Sequence, residues 1–267
     1  MHWLLEERFG NDEKYFKLTE NLSRLNIAHS FCKVVPFSDN DLTSDIDLDT
    51  IQSPIYASGS ITLARILKRR GYKPGGFISE NISFDSLLKN YGNELLNSDM
   101  IIGKLCEIET DMKEFFCRPM EDTKSFTSQV ITKVDFEEYK KQIVEVSRGG
   151  YSTVTPDTMV IISSPKKIQQ ECRFFIIDKK ISTYSQYKLG ESANYCPVVD
   201  SYIIDYVKEI ISREFQPDEC YCLDIAVSEG MPKILEVNSI NSSGLYAIDT
   251  QKYIMDIEAI TEKYKLP

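Results

Sequence analysis

Apolar residues recur along the chain with two different periods. In NDEKYFKLTENLSRLN, residues 11–26, Tyr15, Phe16, Leu18, Leu22 and Leu25 follow an Asn/Asp start at near-helical spacing, which predicts a helix. A strand is predicted over Phe31–Val35, ended by Pro36, and a polar acidic loop over about 38–50. SPIYASGSITLARILKRRG then reads as strand, tight turn and helix, stopped by Gly71. KPGGF, 73–77, is a turn cluster, and a polar helix over 84–97 follows it.

After residue 98 the pattern changes to successive short apolar runs. They predict strands at Met100–Glu107, Glu114–Arg118, Phe126–Val134, Met159–Ser163, Cys172–Ile177, Ile181–Tyr187, Tyr221–Ser228 and Lys233–Ser239. Helices are predicted at Phe136–Val146, at Tyr202–Phe215 and from about 250 to 264. Alternating strand and helix at the front, then hairpins, suggest a small α/β segment ahead of a larger α+β body.

The 267 residues suffice to bury a sizeable core without metals or disulfides. The net charge is -10, and the longest basic run is Lys68, Arg69 and Arg70, so duplex nucleic acid is not an expected partner. Seven scattered cysteines, with one C-x-C pair at Cys220 and Cys222 and no second pair, read as buried reduced thiols. MHWLLEERFGND lacks the basic start and apolar core of a leader, and no apolar window is long enough for a membrane span. A cytoplasmic location and no membrane partner are expected. Only His2 and His29 are available as histidines, so chemistry must rest on carboxylates, Arg and Lys, with or without a bound cation.

One stretch, CYCLDIAVSEGMPKILEVNSINSSG at 220–244, places acids on both arms of a hairpin. Leu223, Ile225 and Val227 share one face of the first arm, and Asp224 lies on the other. A three-residue loop at Glu229–Met231 would set Asp224 across from Glu236, with Asn238 one pleat further on; a two-residue loop would shift the register by one. Facing acids destabilise a sheet unless a hard cation lies between them, and Asp, Glu and Asn supply the oxygens that Mg²⁺ takes. A solvated polar face is the other reading of the same residues.

Basic residues upstream bear on that choice. FFCRPMEDTKSF, 115–126, carries Arg118 at a strand end and Lys124 in the following loop. In 160–188 a strand and a Ser-Ser-Pro break lead into a hairpin around Asp178–Lys180, which Arg173 opens and Lys188 closes. Each alone is an ordinary solvated or ion-paired charge, but with a cation site they would neutralise a triphosphate from both sides. The SGS turn at 58–60 reads either as a phosphate-binding turn or as a capped strand-to-helix turn. No G-x-x-x-x-G-K-[ST] or G-x-G-x-x-G pattern accompanies it, which favours the cap.

Taken in order, the strand–SGS–helix unit, the F-x-R-P…D-T-K-S-F block at 116–126, VIISSP, E-C-R-F-F-I-I-D at 171–178 and D…L-E-V-N-S-I-N-S-S-G at 224–244 resemble the ATP-grasp superfamily. The resemblance is to small phage and bacterial members with Arg in the first phosphate-binding position. It implies an α+β ATP-grasp fold, two α+β subdomains gripping ATP, preceded by a small α/β pre-grasp domain. On that reading 1–97 is the pre-grasp domain and 98–267 the ATP-grasp domain, with a lid subdomain over about 98–160 and a metal-binding subdomain over about 161–267. Asp224, Glu236 and Asn238 would hold Mg²⁺ against the ATP phosphates. Arg118 and Lys124 would approach phosphates or adenine from the lid, and the backbone of Ile161, Ile162, Ser163 and Ser164 would meet the adenine edge. Glu171 would take the ribose, and Arg173 with Lys188 would stabilise the transferring phosphoryl group.

The chain departs from the family pattern in lacking glycines over 121–128 and in having Arg rather than Lys at 118. The resemblance implies a cytoplasmic ATP- and Mg²⁺-dependent ligase that joins a carboxylate-bearing substrate to an amine, or to a thiol, with release of ADP and phosphate. The substrate would be a peptide, a protein or an amino acid. The alternatives are a kinase of a small molecule or protein, and a non-catalytic scaffold.

Overall fold

A computed structural model describes residues 1–7, 13–35, 41–51, 54–79, 81–120, 126–147 and 153–264. They form two compact units, one of Met1–Leu95 with Ile168–Pro267 and one of Leu96–Lys167. No helix among the described residues is long and apolar enough to cross a membrane.

The first unit contains two five-stranded sheets. In the front sheet the strands are β1 (His2–Glu6), β2 (His29–Val34), β3 (Leu42–Ser44), β4 (Ile55–Ser58) and β5 (Pro74–Gly75), ordered β3-β2-β1-β4-β5. β1 pairs in parallel with β2 and β4, and β4 with β5; helix α1 (Glu13–Arg24) links β1 to β2 and helix α2 (Ile61–Arg69) links β4 to β5. HWLLE, weighed in the sequence only against a leader, is thus the central strand. Its burial on both faces explains its unbroken apolar run. Trp3, Leu5 and Tyr56 face one core, whereas Leu4, Ile55 and Ala57 face another lined by Leu63, Ala64 and Leu67 of α2. The polar loop expected at 38–50 contains the short edge strand β3 and a 3₁₀ turn at Leu48–Thr50. The helix expected over 84–97 stops at Tyr91 (α3, Phe84–Tyr91), because Gly92 takes the left-handed φ of +53° that ends a helix.

The second sheet is antiparallel, ordered β12-β11-β10-β13-β14. Its strands are β10 (Ile168–Ile177), β11 (Lys180–Leu189), β12 (Ser192–Cys196), β13 (Cys220–Ser228) and β14 (Met231–Ser239). Phe175, Ile177, Cys220 and Cys222 on one face pack with Trp3, Leu5 and Tyr56 of the front sheet and with Leu18 and Leu22 of α1. Tyr253, Ile254 and Ile257 of the last helix (Thr250–Thr261) close the same core, and each fully buried side chain of this kind contributes about 1.5–3 kcal/mol. The front segment and the acidic hairpin therefore share one core.

The smaller unit carries a four-stranded sheet ordered β6-β9-β7-β8, where β6 is Ile101–Lys104, β7 Glu114–Pro119, β8 Gln129–Thr132 and β9 Met159–Ser163. Helix α4 (Lys133–Ser147) packs Phe136 and Ile143 against Leu105, Phe115, Val160 and Ile162.

Candidate functional site

The register of the acidic hairpin follows from two local devices. Glu229 and Gly230, at φ +54° and +75°, make a two-residue turn, and Ser228 pairs with Met231. Of the two loop lengths open in the sequence the turn is the two-residue one, and an unbroken ladder would set Asp224 against apolar Leu235. A bulge intervenes between Asp224 and Ile225, so that Asp224 pairs with Glu236 and Cys222 with Asn238. The bulge restores the pairing expected from the longer loop.

β10 brings its charges to the same face. Arg173 pairs with Asp224 on one side and Ser185 on the other, and Glu171 pairs with Lys188. A second bulge, at Tyr187, sets Lys188 rather than Tyr187 opposite Glu171. This face buries Phe175 and Cys222 against the front sheet; further along, its apolar residues give way to Arg173, Asp224, Glu171 and Lys188.

The charges are paired across the strands. Arg173 Nε donates to Asp224 Oδ1 at 2.8 Å and Nη2 to Oδ2 at 2.7 Å, the bidentate geometry of an ionised carboxylate. Nη2 also lies 3.8 Å from Glu236 Oε1. Lys188 Nζ donates to Glu171 Oε1 at 2.9 Å. Burial pushes the Asp224 carboxyl up to about 7 against the pull of Arg173, and Glu236 pushes the same way. Burial lowers Arg173, but the hydrogen bonds to Asp224 outweigh it and raise the guanidinium's pKa.

For a hard cation the donor set fits in part as it stands. Glu236 is half exposed, and Asn238 Nδ2 donates to Glu236 Oε1 at 2.9 Å, which leaves the amide oxygen as a donor to a metal. Asp224 is fully buried and both its oxygens accept from Arg173, so it joins a metal only by giving up that pair. No cluster of three His, Cys, Asp or Glu side chains suited to a metal occurs among the described residues; the set here relies on an amide instead.

The remaining expected residues lie on the smaller unit. Arg118 pairs with Ile161 and Cys117 with Ile162, and on the other side Ile102 and Ile101 flank the same two isoleucines. Ile161 and Ile162 are thus buried interior backbone, Ser163 ends the strand, and Ser164 lies beyond it. Ser163 Oγ donates to Asn97 Oδ1 at 3.3 Å, and Ser164 N to Asp99 Oδ2 at 3.1 Å. Lys166 Nζ donates to Asp99 at 2.9 Å. Burial pushes Asp99 up, but the Ser164 and Lys166 hydrogen bonds outweigh it and hold its carboxyl low. Lys124 lies outside the described residues.

The SGS turn is a cap. Ser60 Oγ accepts from Leu63 N at 3.2 Å, and buried Glu6 accepts from Ser60 N at 2.6 Å. With those amides taken, the turn is not the phosphate loop. Two groups beside the charges escaped the sequence reading, namely Tyr187 and the Gly244–Tyr246 loop, whose aromatic residues follow no period that distinguishes them from core.

No curated protein sequence matches the chain. Among solved structures, D-alanine–D-alanine ligase from Bacillus anthracis complexed with ATP is similar at a TM-score of 0.60 and 14% identity, covering 99% of each chain. A RimK domain ATP-grasp protein from Sphaerobacter thermophilus gives 0.58 and 12%, covering 100% of this chain and 99% of its own. The ATP-grasp ligase PsnB complexed with a minimal precursor gives 0.58 and 11%, covering 98% and 99%. These likenesses establish the ATP-grasp fold. A family described as an ATP-grasp domain, the second family of its clade, matches residues 97–255, more than half of the sequence, and the chain belongs to that ATP-grasp family.

Proposed function

We propose that the protein is an ATP- and Mg²⁺-dependent ligase that activates a carboxylate as an acyl phosphate and joins it to an amine or a thiol. The observation that carries this is the ordering of charge over four adjacent strands. Lys188, Glu171 with Arg173, Asp224, and Glu236 with Asn238 follow one another on β11, β10, β13 and β14. Such a face offers cations to phosphate oxygens at one end and oxygen donors to a hard cation at the other.

In the proposed reaction a substrate carboxylate oxygen attacks the γ-phosphorus and ADP leaves. The acceptor nucleophile then attacks the acyl carbon, and inorganic phosphate leaves. Phosphoryl transfer asks for positioning and charge neutralisation more than for a protein nucleophile. Arg173 and Lys188 are assigned to the transferring phosphoryl group, and Glu171 holds Lys188 in place while remaining the ribose candidate. Glu236 and Asn238, joined by Asp224 once Arg173 releases it, would hold Mg²⁺, which when bound offsets charge on the phosphate oxygens. On the smaller unit, Arg118 and Lys124 are assigned to phosphate or adenine. Ser164 is the best placed of the 161–164 segment for the adenine edge, because Ile161 and Ile162 are interior to the sheet.

Substrate candidates are amino acids and peptides, in keeping with relatives whose descriptions are D-alanine–D-alanine ligase and a ligase complexed with a precursor peptide. The test is ADP release with MgATP across a panel of amino acids and peptides, with mass spectrometry of the products. A product heavier by one condensed amine or thiol supports the ligase. A stable phosphorylated product makes the protein a kinase, and no binding of MgATP by calorimetry overturns both readings.

A further inference from the structure

Arg173 has neighbours besides carboxylates. Tyr187, the bulged residue of β11, and Tyr246, in the loop after β14, stack with centroids 4.8 Å apart and planes at 19°. Tyr195 of β12 continues the stack at 5.4 Å and 15°. The guanidinium carbon of Arg173 lies 5.1 Å from the Tyr246 ring centre and 5.7 Å from that of Tyr187, within reach of a cation–π attraction.

The loop is built to keep this arrangement. Tyr246 sits at φ +47°, a left-handed conformation that a non-glycine residue holds only when its surroundings impose it. Those surroundings are visible. Arg173 Nη1 donates to the Gly244 carbonyl at 3.5 Å, and Ala247 N donates to Ser185 Oγ at 3.2 Å. Asp249 N donates to Thr183 Oγ1 at 3.0 Å. A Cβ on Gly244 would lie 3.3 Å from the Tyr246 ring and 3.6 Å from Arg173 Nη1, so glycine lets all three meet.

A guanidinium has five N–H donors, and Asp224 takes two of them. Under the proposed function, Asp224 turns to the cation and Arg173 loses its bidentate partner. An arginine with no other restraint would then regain most of its rotamer freedom. The ring faces and the Gly244 carbonyl restrain it without using Asp224. We infer that Tyr246 and Tyr187 are positioning residues for Arg173, which keep its guanidinium aimed along the sheet face at the terminal phosphoryl group when Asp224 turns to a cation. This inference rests on the proposed ATP site and adds to it how the arginine is held.

The test compares the affinities of the full chain for AMPPNP and for ADP, each with Mg²⁺, by calorimetry. If wild type binds AMPPNP more tightly than ADP, Arg173→Ala brings the ratio towards one. Tyr246→Ala is expected to lower that ratio about three- to tenfold while leaving ADP affinity nearly unchanged, as loss of one partly buried cation–π contact predicts. Tyr246→Phe keeps the ratio, because the ring and not the hydroxyl does the holding. The double variant Arg173→Ala/Tyr246→Ala falls no further than Arg173→Ala alone. Should Tyr246→Ala melt below the assay temperature, Tyr246→Leu and Gly244→Ala serve in its place. A folded variant with an unchanged ratio, an equal loss for both nucleotides, or an additive double variant overturns the inference and leaves the ATP site standing. Wild type that binds neither nucleotide overturns the ATP site itself, and this inference with it.

Discussion

Arg173 holds Asp224 by both carboxylate oxygens, at 2.8 and 2.7 Å, with side chains only 8% and 0% exposed. A buried pair of this kind returns little net stability, because desolvation offsets most of the attraction, yet breaking it strands a charge. Asp224→Ala should therefore cost about 3–5 kcal/mol in urea unfolding, whereas Arg173→Met with Asp224→Leu should recover most of that loss. A single variant as stable as the double would mean that the pair carries no such penalty.

Glu236 occupies the opposite situation, half exposed at the rim of the same face. Glu236→Gln keeps its size and its place opposite Asp224 but removes its charge and leaves a single neutral oxygen donor. ATP turnover should be abolished, while unfolding stability stays within about 0.5 kcal/mol of wild type. Full turnover in this variant would remove Glu236 from the metal set.

Much of this was legible in the chain because period and charge order survive without coordinates. Met159–Ser163 is predicted with the same bounds as β9, and the ordered blocks from the strand–SGS–helix unit to L-E-V-N-S-I-N-S-S-G resemble the superfamily to which the chain belongs. What escaped depends on single-residue irregularities. The bulge that sets Glu236 opposite Asp224 leaves no mark in the sequence pattern, because the extra residue, Leu235, is apolar like Ile234 before it and reads as one more strand residue. The ion pair of Arg173 with Asp224 joins residues far apart in sequence through the β10–β13 register. β12, which is not among the predicted strands, is an exposed edge strand with no buried face to impose a period.

The SGS turn yields a stability prediction. Gly59 has φ +158°, and a Cβ there would lie 2.5 Å from Glu6 Cβ and 2.7 Å from Glu6 Oε2. Glu6 is 4% exposed and holds Ser60 N, so it has little room to withdraw without abandoning the turn's amide. Gly59→Ala should destabilise by about 1–3 kcal/mol, the range for overpacking a buried site, and Glu6→Gly in the same chain, which removes both the Cβ and the carboxylate, should relieve the overlap. Thermal unfolding of the two single variants and the double decides it, and additive losses would count against the overlap.

The buried thiols set an alkaline limit to stability. Burial pushes Cys32, Cys117 and Cys172 each up to about 12, and nearby acids add to the effect at Cys32 and Cys172. An unfolded chain ionises its thiols near ~8.5, so above that pH it releases protons that the folded chain retains. The sign follows from linkage. These groups leave stability whole below about pH 8.5 and remove it as pH rises towards 12, each by up to about 1.4 kcal/mol per pH unit within that window. The urea midpoint should therefore fall steadily from about pH 8.5 to about 10.5. In native protein at about pH 8, a thiol reagent should leave these three cysteines unmodified, and in urea it should reach them all. Native modification at the unfolded rate, or a midpoint that is level across that range, would show that the thiols are neither buried nor raised.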